Sequence, residues 1–450
     1  MTFNISRINI LSILLIIFSC IQNCLYAGEP PRKAVTLLLP GMKFDLQDPT
    51  LSFGSPVKQA NGKFAWTGII GTLDRSGRKF GGVIRPKGAD LSLPRCLDRT
   101  AVAIDSRKAG VFVLDYSSSA HVDGLAYKTL ELAECLKELR RYARCEEVHI
   151  VAYSAGGLVA RTYLQEALPG IEYGGEVGRL VTICTPHLGC AKAEHFGDFL
   201  GTRATALRPA SELVQRLNNK LELPADVDFA SIIVRGSRIG SRRLHDNQPK
   251  LFEEFVDRKL LVKLPLDFQK GSDQVVNVWS QNLALTNSAR RYESKHKRPI
   301  QFVLARVEDP SPGDWMPFDT CVHEVAPNNS AVVDLVKTLL KDEDEYWTGL
   351  GNEALVKQVH REAKNCAYGI IEDAMARNHK YSEVFETEVK SVRYEKNNGS
   401  MHKFKFEGLA RSKWRAPPRI RSTAEFTGTM NLNIDRYGRV LNCSYTVKNK

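Results

Sequence analysis

No C-x-x-C pair occurs among the ten cysteines of this chain. Structural zinc sites are built on such pairs, so the sequence argues against one. Beyond the first two dozen residues, no segment is long and apolar enough to span a membrane. Internal repeats and low-complexity tracts are also missing, which excludes a repeat architecture. What is present is ordinary globular material: 43% hydrophobic and 25% charged residues in 450. That composition excludes a disordered chain and gives room for more than one domain.

The N-terminus differs from the rest. Arg7 is the only basic residue before the apolar run Ile10 to Ile21, and GEPPRK follows. This reads as a secretory signal peptide over residues 1–27, cleaved after Ala27. An uncleaved anchor is the alternative. Acylation at Cys20 is disfavoured by the bulky Phe18. Export implies a periplasmic or secreted protein. The eight cysteines outside this segment then permit disulfides, with Cys184–Cys190 and Cys366–Cys443 as candidate pairings, although the sequence does not give the connectivity.

The formal charge is +12. Residues 351–450 hold 19 Lys and Arg against 11 Asp and Glu, a surplus of eight. For an exported module this favours an anionic lipid surface or polysaccharide over nucleic acid. A solvated basic face without a partner is the competing reading.

From Lys33 to about Lys341, short apolar strands alternate with amphipathic helices. KAVTLLLPG, GVFVLDYSSS, VHIVAYS, RLVTICTP, FASIIVRG and PIQFVLARV read as strands. Trp66, Ile69, Ile70 and Leu73 form a helical stripe, and Leu132, Leu136 and Leu139 another. The expected fold is α/β, a mostly parallel sheet with helices on both faces. The acidic patch KDEDEY at 341–346 marks a boundary. Past it, one helix face (Val356, Val359, Ala363, Cys366, Ile370, Ala374) precedes alternating strands with turns at NNG and DRYG. Residues 343–450 therefore read as a small basic α+β module with an antiparallel sheet.

In parallel sheets, sites lie at the carboxyl ends of the strands. There the stretch VHIVAYSAGGLVARTYL places Ser154 between a strand and a helix. A nucleophile elbow needs small neighbours, and Ala152 and Gly156 supply them. A hydroxyl also needs a base, and the base an orienting acid. His323 follows the last strand and is the favoured base. His187, in TPHLG, reads as a packed loop residue, with contact to substrate as the alternative. His121, His149 and His195 have nothing comparable around them. Asp273, in GSDQVVNVWS, is the favoured acid because it lies between the elbow and His323 in the chain. Asp115 and Asp319 are the alternatives. The oxyanion hole would use the backbone N–H of Ala155 and of Met42, after the Pro40-Gly41 turn.

Together, LLLPGM, FAWTGIIGTLDRSGRKFGG, VFVLDYSSS, the elbow, RLVTICTPHLG, GSDQVVNVW and VHEVAPNNSAVVDLV resemble the α/β-hydrolases of the lipase type. They are similar to the lipase-like and GPI-inositol-deacylase-like serine esterases. The resemblance runs from Ala34 to Lys341 and is weak at 51–62, 83–98 and 191–264. Pro40 stands where a histidine is usual, and Ala152 where the elbow has its first glycine. The C-terminal module matches no family. The resemblance implies a catalytic domain over 28–342 that hydrolyses carboxylic esters of lipid acyl type through an acyl-enzyme on Ser154. It implies no metal and no organic cofactor, and a lid within 191–264. An acyltransferase with the same residues, or a non-catalytic lipid- or partner-binding protein on this scaffold, are the alternatives.

Overall fold

The computed structural model describes residues 32–41, 49–60, 62, 64–87, 90–95, 109–116, 124–193, 205–236, 258–264, 266–269, 271–308, 321–341, 347, 349, 352–378, 382–398, 400–414 and 421–449. The expected signal segment, Met42, Asp319, His121, His195, the KDEDEY patch after Lys341, and residues 194–204 and 237–257 of the stretch expected to hold a lid lie outside these residues. No helix among the described residues is long and apolar enough to cross a membrane.

The larger sheet has eight strands. In chain order they are β1 (Arg32–Leu39), β4 (Phe80–Lys87), β5 (Asp90–Arg95), β6 (Val111–Leu114), β7 (Cys145–Tyr153), β8 (Val177–Ile183), β9 (Asp228–Gly236) and β10 (Gln301–Val307). β2 (Pro56–Lys58) and β3 (Phe64–Trp66) form a separate small hairpin. The sheet order is β10-β9-β8-β7-β1-β6-β4-β5. Every neighbouring pair is parallel except β4 with β5.

Successive residues of one strand feed opposite cores. Leu37, Leu39, Ile150 and Ala152 pack on one face. Leu38, Val151 and Tyr153 pack on the other. This is why the strands read as continuous apolar runs rather than alternating ones. The first face is covered by α2 (Leu125–Ala143), through Leu132, Leu136 and Leu139, and by α3 (Gly156–Leu164). The second is covered by α1 (Gly68–Arg75), and, near the end of this region, by Ser330–Leu339. The stripe expected to start a helix at Trp66 differs in one respect. Trp66 closes β3, Thr67 is extended at φ −95°, and the helix begins at Gly68.

The further helices of this region include α4 (Glu212–Gln215), α5 (Asn287–His296), α6 (Val322–Val325) and α7 (Ser330–Leu339). Helix α7 is capped by Asn329, whose side chain accepts from Ala331 N at 3.0 Å. The C-terminal module has the long helix α8 (Asn352–Asn378) and an antiparallel sheet, β11 (Ser382–Asn398), β12 (Met401–Trp414), β13 (Arg421–Ile434) and β14 (Val440–Asn449), paired in chain order. Val359, Ala363, Cys366, Ile370 and Ala374 of α8 pack against Phe404, Phe406, Phe426 and Met430. Val356, expected on that face, is 56% exposed. It lies in the first turns of α8, outside the cluster packed on the sheet. On the module, Lys390 pairs with Glu425, Lys403 and Lys405 share Glu395, and Arg411 pairs with Glu386. Four of the module's cations thus have acidic partners within it.

The seven described cysteines are free thiols. Of the candidate disulfides, Cys184 and Cys190 do not pair, because the Cys190 thiol donates to Val275 O at 3.2 Å while Cys184 is turned toward Asp273. Cys366 and Cys443 are free thiols as well, and burial, with Cys443 nearby, pushes the Cys366 thiol up.

Candidate active site

Strand β7 and helix α3 meet at Ser154, which has φ +53°. A non-glycine residue rarely adopts this left-handed conformation, at a cost of about 1–3 kcal/mol. Three hydrogen bonds offset it. Ser154 N donates to Ile183 O (2.8 Å), and Ser154 O accepts from Thr185 Oγ1 (2.8 Å) and Gly157 N (3.1 Å). At about 1 kcal/mol net each, they balance the strain. The elbow is therefore held by the end of β8, not by β7 alone.

Close packing explains the small neighbours. Ala152 is fully buried in register with Leu39 of β1. A Cβ at Gly156 would lie 2.7 Å from Pro40 O and 2.8 Å from Leu39 O, both backbone atoms that cannot swing aside. A Cβ at Gly41 would come 2.7 Å from Ser154 Cβ, so the Pro40-Gly41 turn lies directly against the serine. Gly156→Ala is expected to cost about 1–3 kcal/mol by overpacking. A denaturant-unfolding midpoint equal to the parent's would refute this account of the glycine.

His323, in α6, is 6% exposed. Its Nε2 lies 2.9 Å from Ser154 Oγ, and its Nδ1 lies 2.7 Å from Asp273 Oδ2. Asp273 is fully buried. Its Oδ1 accepts from Val275 N (2.9 Å) and Val276 N (2.6 Å), and its Oδ2 also accepts from Gln281 Nε2 (3.2 Å). Ser154, His323 and Asp273 thus form one hydrogen-bonded chain at the carboxyl ends of β7, β9 and β10. Ala155 is the residue directly before α3 and is buried.

The other candidates go elsewhere. His187 is fully buried, 3.0 Å from Thr182 Oγ1, and burial with the nearby Arg161 holds its imidazole well below the usual range. It is a packed neutral histidine. His149 is buried beside Glu147, at 3.8 Å. Asp115 follows β6, on the far side of β1 from β7, and its N donates to Ile84 O.

Four residues not anticipated from the sequence complete the site. Tyr153 donates its hydroxyl to His323 O at 2.9 Å, fixing the backbone that carries the imidazole. Burial raises its phenol well above the usual range, so it stays a donor. Cys184, at φ +54°, directs its thiol to Asp273, and burial pushes that thiol up, keeping it protonated. Gln281 does the work of a missing strand. It accepts from Val234 N (2.7 Å), donates to Val234 O (3.1 Å), and reaches Asp273 and Val276 O (3.0 Å) from the same amide nitrogen. Arg161, buried behind the elbow, donates to Leu217 O, Asn218 Oδ1 and Gln165 Oε1. Burial draws its guanidinium down to about 9, still charged at neutral pH. Cys184, Asp273 and His323 are also the one group of potential metal ligands among the described residues, within 4.8 Å of one another. Their donors and acceptors are already engaged in the chain above.

No family model matches this chain, and no curated protein matches it. Solved structures do. The lin2722 gene product of Listeria innocua is 9% identical, with 69% of this chain and 94% of that one covered at a TM-score of 0.41. The mature lipase BlEst2 of Bacillus licheniformis is 14% identical, over 70% and 94% of the chains, at 0.35. Phospholipase PlaB of Legionella pneumophila, in complex with thio-NAD, is 10% identical, over 93% and 89%, at 0.40. The seven parallel strands, the elbow after β7 and the helices on both faces make this an α/β-hydrolase fold.

Proposed function

We propose that this chain is a serine hydrolase that cleaves carboxylic esters, lipid acyl esters foremost, through an acyl-enzyme on Ser154. The observation that carries this reading is the unbroken chain from Ser154 Oγ through His323 to Asp273, set on a strained elbow. In this mechanism His323 Nε2 takes the hydroxyl proton as Ser154 attacks, then returns it to the leaving alcohol. Asp273 holds the ring with Nδ1–H toward itself and stabilises the imidazolium. Ala155 N–H and Met42 N–H would receive the oxyanion. Water then repeats the sequence on the acyl-enzyme. All of this is done by side chains and backbone amides.

Lipid as the substrate class, and export to the periplasm or medium, rest on the sequence resemblance and on residues 1–27. A weak attraction to anionic lipid belongs to the same reading. It rests on module cations other than those paired above, and salt-sensitive vesicle binding would report it.

The test is direct. The protein is incubated with a fluorophosphonate probe and with p-nitrophenyl esters of short and long acyl chains. A single phosphonyl adduct on Ser154, with turnover of the longer esters, is expected. An unlabelled, inactive protein would support a binding role on the same scaffold. Acyl transfer to an added alcohol in preference to water would identify an acyltransferase.

A further inference from the structure

The C-terminal module reaches the acid of this site. Arg235 lies at the carboxyl end of β9 and is 5% exposed. Its neighbour Gly236 donates N–H to Ser272 O at 3.1 Å. Its own side chain lies on the start of the acid loop, since a Cβ on Gly271 would come 2.7 Å from Arg235 Nε. The loop is short and closed, with Val278 N bonded to Gly271 O and Asp273 N to Val276 O. Arg235 therefore packs on the base of the loop that presents Asp273.

A buried guanidinium cannot shed its proton, so it needs a counterion or water. Arg235 takes its counterion from the other module. Glu372 of α8 is 3% exposed and holds Arg235 Nη2 at 2.7 Å. Its second oxygen holds Arg306 Nη1 at 3.3 Å. Arg306 is the β10 residue in register with Arg235, and its guanidinium stacks 4.6 Å from the Tyr368 ring. One carboxylate from α8 thus binds two arginines at the ends of adjacent strands.

We propose that Glu372 is a positioning residue for Asp273, acting through Arg235 and the Gly271–Val278 loop. The proposal rests on the serine-hydrolase reading above. Without Glu372, Arg235 keeps its charge and turns toward water. Its side chain then leaves Gly271, and the loop loses the surface it packs on. Asp273 drifts relative to His323, while the substrate side of the site is untouched. The effect falls on kcat rather than on KM.

The interface holds its own control. Arg439, leading into β14, pairs with Glu293 of α5 and donates to Ile300 O. This link joins the same two parts of the chain without touching the acid loop. The full-length parent, Glu372→Ala, Glu372→Gln and Glu293→Gln are compared for kcat, KM, thermal midpoint and hydrogen exchange over residues 271–281. Glu372→Ala is expected to lower kcat about 100-fold, the scale of an ångström-sized misplacement, with KM unchanged and faster exchange in the loop. The isosteric Glu372→Gln moves kcat and exchange in the same direction, less far, and serves should the alanine variant not fold. Glu293→Gln lowers the midpoint but keeps kcat and loop exchange. The proposal is overturned if the Glu372 variants keep parental kcat and exchange, or if Glu293→Gln loses both in proportion to stability. Loop exchange reports on Glu372 even in a protein whose serine proves unreactive, so the two ideas can fail separately.

Discussion

Ser154→Ala is expected to lower kcat toward a p-nitrophenyl ester about 10⁶-fold and to abolish fluorophosphonate labelling. The size follows from the loss of the covalent step, since no other hydroxyl among the described residues is bonded to the His323 ring. What survives is oxyanion stabilisation and substrate binding, worth roughly 10³–10⁴ over water. Removing His323 as well should cost little more, because the pair acts as a unit. The fold should be indifferent. The bonds that hold the elbow, to Ile183 O and from Thr185 Oγ1 and Gly157 N, all use the backbone of residue 154. An unchanged unfolding midpoint with lost turnover separates chemistry from stability. A variant that turns over at even a hundredth of the parental rate would remove Ser154 as nucleophile.

Asp273→Asn carries the second largest effect, about 10⁴-fold in kcat. The hydrogen bonds dictate how. Oδ1 accepts from two backbone N–H groups that cannot reverse, at Val275 and Val276. The new amide nitrogen is therefore forced to the Oδ2 side. There it faces His323 Nδ1, now as a donor. The imidazole answers by presenting an unprotonated Nδ1, which puts its proton on Nε2, opposite Ser154 Oγ. The base is then spent before substrate arrives. Gln281 Nε2 keeps Val234 O and Val276 O as acceptors but now faces a second N–H where it had Asp273 Oδ2, a buried mismatch of about 1–3 kcal/mol. Both consequences are measurable, one as kcat and the other as a lowered unfolding midpoint. Full activity in this variant would show that Asp273 does not orient the ring.

How much of this was legible beforehand follows from what is local. The strands on both faces, the elbow and the helices that cover the sheet declare themselves in runs of ten residues or fewer, because burial on both faces leaves an unbroken apolar signature. The meeting of Ser154, His323 and Asp273 was readable from chain order, although 169 residues separate the serine from the histidine. Tyr153, Cys184 and Gln281 carried no such signal. Their roles depend on which strand ends lie side by side, and only the sheet order supplies that. Cys184, at the carboxyl end of a strand, could have been flagged by position. Gln281 could not, since its task is to pair with Val234 where β8 has already stopped. Trp66 and Val356 show the limit of periodicity. A stripe gives the spacing of a helix but not the turn at which it starts or the length of the surface it meets.

The pairing of Glu372 with Arg235 and Arg306 also sets an order in time. A ribosome delivers the chain from residue 1 onward at about 5–20 residues per second. Ser154, Arg235, Asp273, Arg306 and His323 have all been synthesised when the codon for Glu372 is reached. For the several seconds that this rate implies, the two arginines wait at the strand ends without the carboxylate that binds them in the finished protein. A nascent chain in that interval holds every group of the proposed chemistry and lacks the acid loop's prop. Competence would then arrive late in synthesis, with helix α8.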